Sequence, residues 1–290
     1  MRKSSHQGNE DGAVWLAEAV RAGRPLLWTG HGASFALAQT FAEVTEELGC
    51  PSRALPVARC QGAVACVVSQ SARDPGLQAE LLFTGSEGRL SWTSAPRLLV
   101  PGCSGDSQPW WPLPFMRGAL ESLRSGLGLP AWPRPSLPVF EPGRNTVIVT
   151  RLAGPLRALA EAARCKLEEL SLEAVACDEL GHGLHARLWQ RPEAHRLLLL
   201  SVEGDAPSTW SAIRRWCAEA GVPTTEFRLS SAPGSGVLPL QVMDHGLAII
   251  EALCLSGRID WRMNRIPASA DWLRDVFTQR VGNRGDEGAQ

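Results

Sequence analysis

Leu26-Leu-Trp-Thr-Gly30-His-Gly32-Ala-Ser34 is the stretch on which the fold turns: an apolar run enters a glycine-bearing turn and leaves as a helix over 35–48. In that helix Leu37, Ala38, Phe41, Val44 and Leu48 recur at helical spacing, and Gly49 ends it. A strand–turn–helix of this kind aims backbone N–H groups at one spot, where an anion is favoured. Gly30 and Gly32 allow close approach of the backbone to a ligand, and Ser34 is a good N-cap residue. A dinucleotide fingerprint needs a third glycine where Phe35 stands, so the turn is not a Rossmann phosphate loop. Taken alone it is equally an ordinary strand-to-helix connection.

Outward from it, the pattern repeats. A helix is expected over 11–22, closed by Gly23, and a short strand over 53–56. The buried run Gly62-Ala-Val-Ala-Cys-Val-Val68 reads as a strand and ends in Ser69-Gln-Ser-Ala-Arg-Asp-Pro75. Two strands thus carry hydroxyls beyond their carboxyl ends, where ligands lie in open parallel sheets. Strands over 81–84 and 97–100 and a helix over 115–123 follow. Pro130, Pro133, Pro135, Pro138 and Pro142 then exclude a regular helix or a central strand, and mark a linker. Beyond it, strands over 146–150, 196–201 and 225–230 alternate with helices over 155–172, from Ser208, and over 238–255. The expected fold is α/β: two doubly wound subdomains with mainly parallel sheets flanked by helices. They span 12–128 and 144–270, with the linker at 129–143; the terminal segments 1–11 and 271–290 are expected to be partly disordered.

Composition narrows the function classes. A formal net charge of −1 gives no electrostatic reason for a nucleic-acid or membrane-surface partner. No apolar run approaches the roughly 20 residues needed to span a bilayer. The polar amino terminus lacks the apolar core of a signal peptide, so a cytoplasmic location is expected. The cysteines form no Cys-x-x-Cys pair and sit mostly in apolar segments, which reads as buried thiols. His182 and His185 have ligand-like spacing, but no motif completes a metal shell; neither a metal nor a cofactor is expected. Trp110-Trp111 between prolines reads as an apolar loop packed on its own domain, with stacking on a sugar ring or a partner the other reading.

Taken together, the motifs resemble the double sugar-isomerase (SIS) family, which includes the isomerase half of glucosamine-6-phosphate synthase and single-chain glucosamine-6-phosphate deaminases. Gly30-His-Gly-Ala-Ser34 is similar to the family's first turn, Gly-x-Gly-Thr-Ser, and Ser69-Gln-Ser-Ala-Arg-Asp-Pro75 to its second, Ser-Gln-Ser-Gly-x-(Ser/Thr)-Pro. Lys166-Leu-Glu-Glu169 resembles the segment carrying the catalytic glutamate, and Glu179-Leu-Gly-His182-Gly183 the one carrying the ring-opening histidine. Pro239-Leu-Gln-Val-Met-Asp-His-Gly-Leu-Ala248 is similar to the opening of the last helix, so the likeness runs in family order from about residue 12 to about residue 266. The resemblance implies an aldose–ketose isomerase or deaminase acting on a sugar or amino sugar, phosphorylated or not. Glu169 would carry a proton between adjacent carbons through an enediol-type intermediate, with Glu168 the neighbouring alternative in register. His182 would open the ring. Gly32, Ser34, Ser69, Gln70, Ser71 and Asp74 would meet the substrate, and the family's habit of lending the histidine across an interface implies a homodimer.

The departures are as specific as the matches. Asp74 stands where the family has a phosphate-binding Ser or Thr, and a carboxylate there repels phosphate. Ala72 replaces a glycine that lets the loop wrap an anion, and Arg73 beside Asp74 softens the repulsion. The only lysines are Lys3 and Lys166, so the family's carboxy-terminal lysine is missing and no Schiff base forms there. The alternative function is therefore a catalytically reduced SIS protein that binds a sugar as a sensor or as the partner of an active subunit.

Overall fold

The computed structural model describes residues 5–60, 65–69, 78–85, 96–99, 113–133, 146–150, 176–179, 195–204, 207–230 and 234–256. The first half begins with helix α1 (Ser5–Arg21), strand β1 (Leu26–Gly30), helix α2 (Ala33–Glu47) and strand β2 (Ser52–Ala54). Strands β3 (Ala65–Val68), β4 (Ala79–Thr84) and β5 (Arg97–Leu99) follow, then helix α3 (Leu113–Gly126). The second half contains β6 (Thr146–Thr150), β7 (Ala176–Glu179), β8 (Arg196–Val202), α4 (Pro207–Ala220), β9 (Thr224–Leu229) and α5 (Val237–Ser256). The expected helix over 155–172 lies outside the described residues.

Every recorded strand pairing is parallel, in two sheets ordered β2-β1-β3-β4-β5 and β7-β6-β8-β9. The α/β expectation holds, and each sheet contains a switch point where successive connections leave in opposite directions: β1/β3 in the first and β6/β8 in the second. Helix α1 and strand β7 depart furthest from the sequence reading. Helix α1 starts at Ser5 rather than near residue 11, because a helix anchored further on by the buried Leu16 and Ala19 extends backwards at little cost. Strand β7 was not expected. Its apolar start, Ala176-Cys177, is followed at once by Asp178-Glu179, and an edge strand needs only one neighbour to pair with.

The core follows from the two-residue period of the strands. On β1, Leu26 and Trp28 point to the helical layer, while Thr29 lies on the other face with Val67 and Leu82. Trp28 packs edge-on to Phe41 of α2 with ring centroids 5.3 Å apart, and Phe41 lies 5.0 Å from Phe83 of β4. The indole Nε1 of Trp28 donates to Thr45 Oγ1 at 3.3 Å, so this fully buried donor is satisfied.

In the second sheet Val147, Val149, Leu197 and Leu199 pack under Trp210 and Cys217 of α4. The alternate residues Ile148, Leu198, Leu200 and Phe227 turn the other way and join the core of the first half. Helix α5 joins the two. Leu240, Val242, Met243 and Leu247 are all buried, and the helix packs on α2 and α3 as well as on β9. The two sheets therefore share one continuous hydrophobic core.

Polar contacts fix α5 in place. Glu47 Oε2, at the end of α2, accepts the Gly236 N–H at 3.1 Å, just before α5 begins. Further along, Asp244 accepts the Trp132 Nε1–H at 3.0 Å, and Arg117 of α3 pairs with Glu251 at 2.6 Å. The carboxyl end of α2 thus meets the amino end of α5. No described helix is long and apolar enough to cross a membrane.

Candidate functional site

The first switch point brings the two sequence turns together. In the β1/β3 register Gly30 pairs with Val68, so the Gly30–Ser34 turn and Ser69 leave adjacent strands at the same level. A Cβ on Gly30 would stand 2.7 Å from the Ser34 carbonyl oxygen and 2.9 Å from that of Val68, and only glycine lets these backbones close on one another. Gly32 has φ 54° and ψ −126°, a conformation that side chains penalise, and it faces open space. Both glycines are therefore required, one by contact and one by backbone geometry.

Ser34 is not the helix cap. Gly32 occupies the N-cap position of α2 and no side chain caps the helix. The positive φ of Gly32 turns the chain into the helix early, which places Ser34 inside the first turn, 9% exposed. Its N–H donates to the His31 carbonyl at 3.0 Å, and the Phe35 N–H donates to the Gly32 carbonyl, also at 3.0 Å. Across the crevice the Ser69 N–H is used in the sheet, donating to Phe83 O at 2.9 Å. His31 is exposed, and partial desolvation holds its pKa below the ordinary value. The imidazole is neutral near pH 7 and can accept or donate a hydrogen bond at the mouth of the crevice.

Of the residues proposed to meet substrate, Gly32, Ser34 and Ser69 are brought together here. Gln70, Ser71, Asp74, Glu169 and His182 lie outside the described residues. Glu179, in the segment that resembles the histidine motif, closes β7 in register with Thr150 at the carboxyl end of β6. Among the described residues no group of His, Cys, Asp and Glu side chains could hold a metal ion. Cys50, Cys60, Cys66 and Cys217 are free and buried, and burial raises the pKa of Cys50, Cys66 and Cys217. None of these three supplies a thiolate near neutral pH.

One titratable group escaped the sequence reading. Glu43 lies one turn before Glu47 on α2, and its pKa is pushed up to about 8, first by burial and then by the nearby Glu47 and Glu46 carboxylates. The crowding was legible in Glu43, Glu46 and Glu47; the burial was not, because it depends on the tertiary packing around α2.

No family model matches the chain, and no curated protein matches it. Solved structures do. A protein described as a phosphosugar isomerase from Silicibacter pomeroyi is 16% identical; the match covers 88% of this chain and 94% of that one, with a TM-score of 0.56. Glucosamine-6-phosphate deaminase from Thermotoga maritima is 13% identical over 86% of this chain and 95% of its own, with a TM-score of 0.52. Tagatose-6-phosphate ketose/aldose isomerase from Escherichia coli is 13% identical over 86% and 92%, with a TM-score of 0.51. With its two parallel sheets, the switch-point crevice and these likenesses over nearly the full length, the chain has the double sugar-isomerase fold.

Proposed function

We propose that the protein is a sugar isomerase or deaminase whose substrate sits in the β1/β3 crevice. The observation that carries the reading is the Gly30–Val68 pairing, which joins two turns far apart in sequence at the one edge where this fold class takes ligands. In this reading Glu169 removes a carbon-bound proton from the opened sugar and returns it to the adjacent carbon. The hydroxyl proton moves between the two oxygens, so aldose and ketose interconvert with no external oxidant or reductant. In the deaminase variant water is added and ammonia leaves. His182 exchanges the ring proton. The protein would work in the cytoplasm as a homodimer.

A second reading is favoured by one feature of the chain: Ala72 and Asp74 replace the glycine and hydroxyl of the second turn. It makes the protein a non-catalytic sugar sensor or a partner subunit. One experiment separates them. Incubating the protein with aldoses, ketoses and amino sugars in deuterated water should label the carbon next to the carbonyl, and Glu169→Gln should abolish labelling without changing the melting temperature. Sugar binding with no label at all would refute the enzyme reading, and full labelling by Glu169→Gln would refute the residue assignment.

A further inference from the structure

We infer that His31 carries the hydroxyl proton from one sugar oxygen to the next, working beside Ser34 in the β1/β3 crevice. The inference rests on the sugar-site reading above and assigns the one proton that reading leaves without a carrier. It is carried by the turn that holds the two side chains and by what they leave unbonded.

The backbone fixes the turn. Gly32, at φ 54° and ψ −126°, bends the chain as the first central residue of a type II′ turn does, and the Ser34 N–H closes the bend on the His31 carbonyl at 3.0 Å. Such a turn brings its first and fourth Cα atoms within about 7 Å of each other. The side chains of His31 and Ser34 therefore leave neighbouring points where β1 ends. On the other side of His31, Gly30 is closed against the backbones of Ser34 and Val68, so the residue between the two glycines is held from both directions.

Both side chains are open to a ligand. Among the described residues none bonds the His31 imidazole or the Ser34 hydroxyl. Ser34 is nearly buried, and a hydroxyl so placed calls for a partner. His31 is exposed, and desolvation alone acts on its ionisation. Of the elements that meet at the crevice, β3 bears no carboxylate, arginine or lysine, and the carboxylates of α2, Glu43, Glu46 and Glu47, lie towards its far end. In the chain beyond Ser69 the first charged residues are Arg73 and Asp74.

Interconverting an aldose and a ketose moves two protons. Glu169, in the reading above, moves the one on carbon. The other leaves the oxygen that becomes the carbonyl and must reach the oxygen on the adjacent carbon, which becomes the hydroxyl. A neutral imidazole accepts it on its unprotonated nitrogen, and the imidazolium so formed returns it to the second oxygen. No proton is gained or lost, and the ring ends as it began. The Ser34 hydroxyl, donor and acceptor at once, holds the sugar oxygen beside the ring.

The test uses the full chain, with glucose, mannose, glucosamine and their 6-phosphates as probes, and follows isomerisation by NMR from pH 5 to pH 8. His31→Ala should lower kcat about 100-fold or more and change KM less than about threefold, with the melting temperature unmoved. His31→Gln, which keeps a hydrogen bond but cannot carry a proton, should be as slow as His31→Ala. The ratio of native to variant rate should fall in acid, where the native ring is already protonated and cannot accept. A variant with near-native kcat, a loss confined to KM, or a ratio indifferent to pH overturns the inference and leaves the sugar-site reading standing. Absence of isomerisation and of carbon-bound deuterium with every probe in the native protein overturns the enzyme reading, and the inference falls with it.

Discussion

Replacing Glu43 with glutamine should make the protein more stable at neutral and alkaline pH and change little in mild acid. The carboxyl group lies on α2 one turn from Glu47, whose Oε2 holds the Gly236 N–H at the start of α5. Burial and the two neighbouring carboxylates raise its pKa from 4.5 to about 8. The folded protein therefore keeps a proton that the unfolded chain has released over that whole window. The stability this proton confers is fully present below about pH 4.5 and is lost as pH rises to 8, at about 1.4 kcal/mol per pH unit. At pH 7 the loss is at most about 3.5 kcal/mol, and relaxation around the charged form lowers it to roughly 2. Glutamine has nearly the shape of the protonated acid and cannot ionise. Urea unfolding followed by tryptophan fluorescence, at intervals from pH 5 to pH 8, should show a difference between variant and native protein that starts near zero and grows steadily. Taking the difference cancels the titration of unrelated groups. A difference that is flat with pH would refute the reasoning, and one that shrinks would reverse its sign.

Two further outcomes follow from particular contacts. Gly30→Ala would place a methyl group 2.7 Å from a backbone oxygen and should cost about 2–3 kcal/mol, whereas Gly32→Ala, in open space at φ 54°, should cost about 1–2 kcal/mol; denaturation midpoints in the opposite order would contradict the crevice geometry. Glu226 is held below its ordinary pKa, first by the Arg214 guanidinium, which reaches it at 2.6 and 2.7 Å, and also by the Ser201 hydroxyl. Its contribution is present above the unfolded carboxylate pKa and is lost as pH falls through the lower folded value. Glu226→Gln should therefore destabilise by about 0.5–1 kcal/mol at pH 7 and be indistinguishable from the native protein in strong acid, and an undiminished penalty there would exclude the ion pair as its cause.

The frame of the molecule was legible because its signals are local. The apolar run that begins at Leu26 reads as a strand entering the glycine turn, and the structure carries β1 from Leu26 to Gly30. The helix after it was placed at 35–48 instead of Ala33–Glu47, since nothing in the residue types says that Gly32 takes a positive φ and starts the helix early. The same gap produced the mistaken cap at Ser34. Strand β7 was hidden by Asp178 and Glu179, whose low strand propensity is overridden by pairing with β6. The meeting of the two turns could be anticipated from their like chemistry, but the Gly30–Val68 register is a product of strand order and could not. Nor could the use of the Ser34, Phe35 and Ser69 amides, which depends on backbone angles.

Helix α5 also has a bearing on how the chain acquires its shape. The sheet built from residues 26–99 packs on α2 and α3, but these two helices keep an apolar face for α5, which is made last among the described elements. During synthesis that face stays uncovered until residue 256 has left the ribosome, so the amino-terminal half must wait, partly collapsed, for a helix encoded more than a hundred residues later. The pairing of Trp132 with Asp244 is of the same long-range kind, and contacts so distant in sequence slow folding. Cutting the chain at its proline-rich segment should accordingly yield two sticky fragments that bind each other, not two autonomous domains.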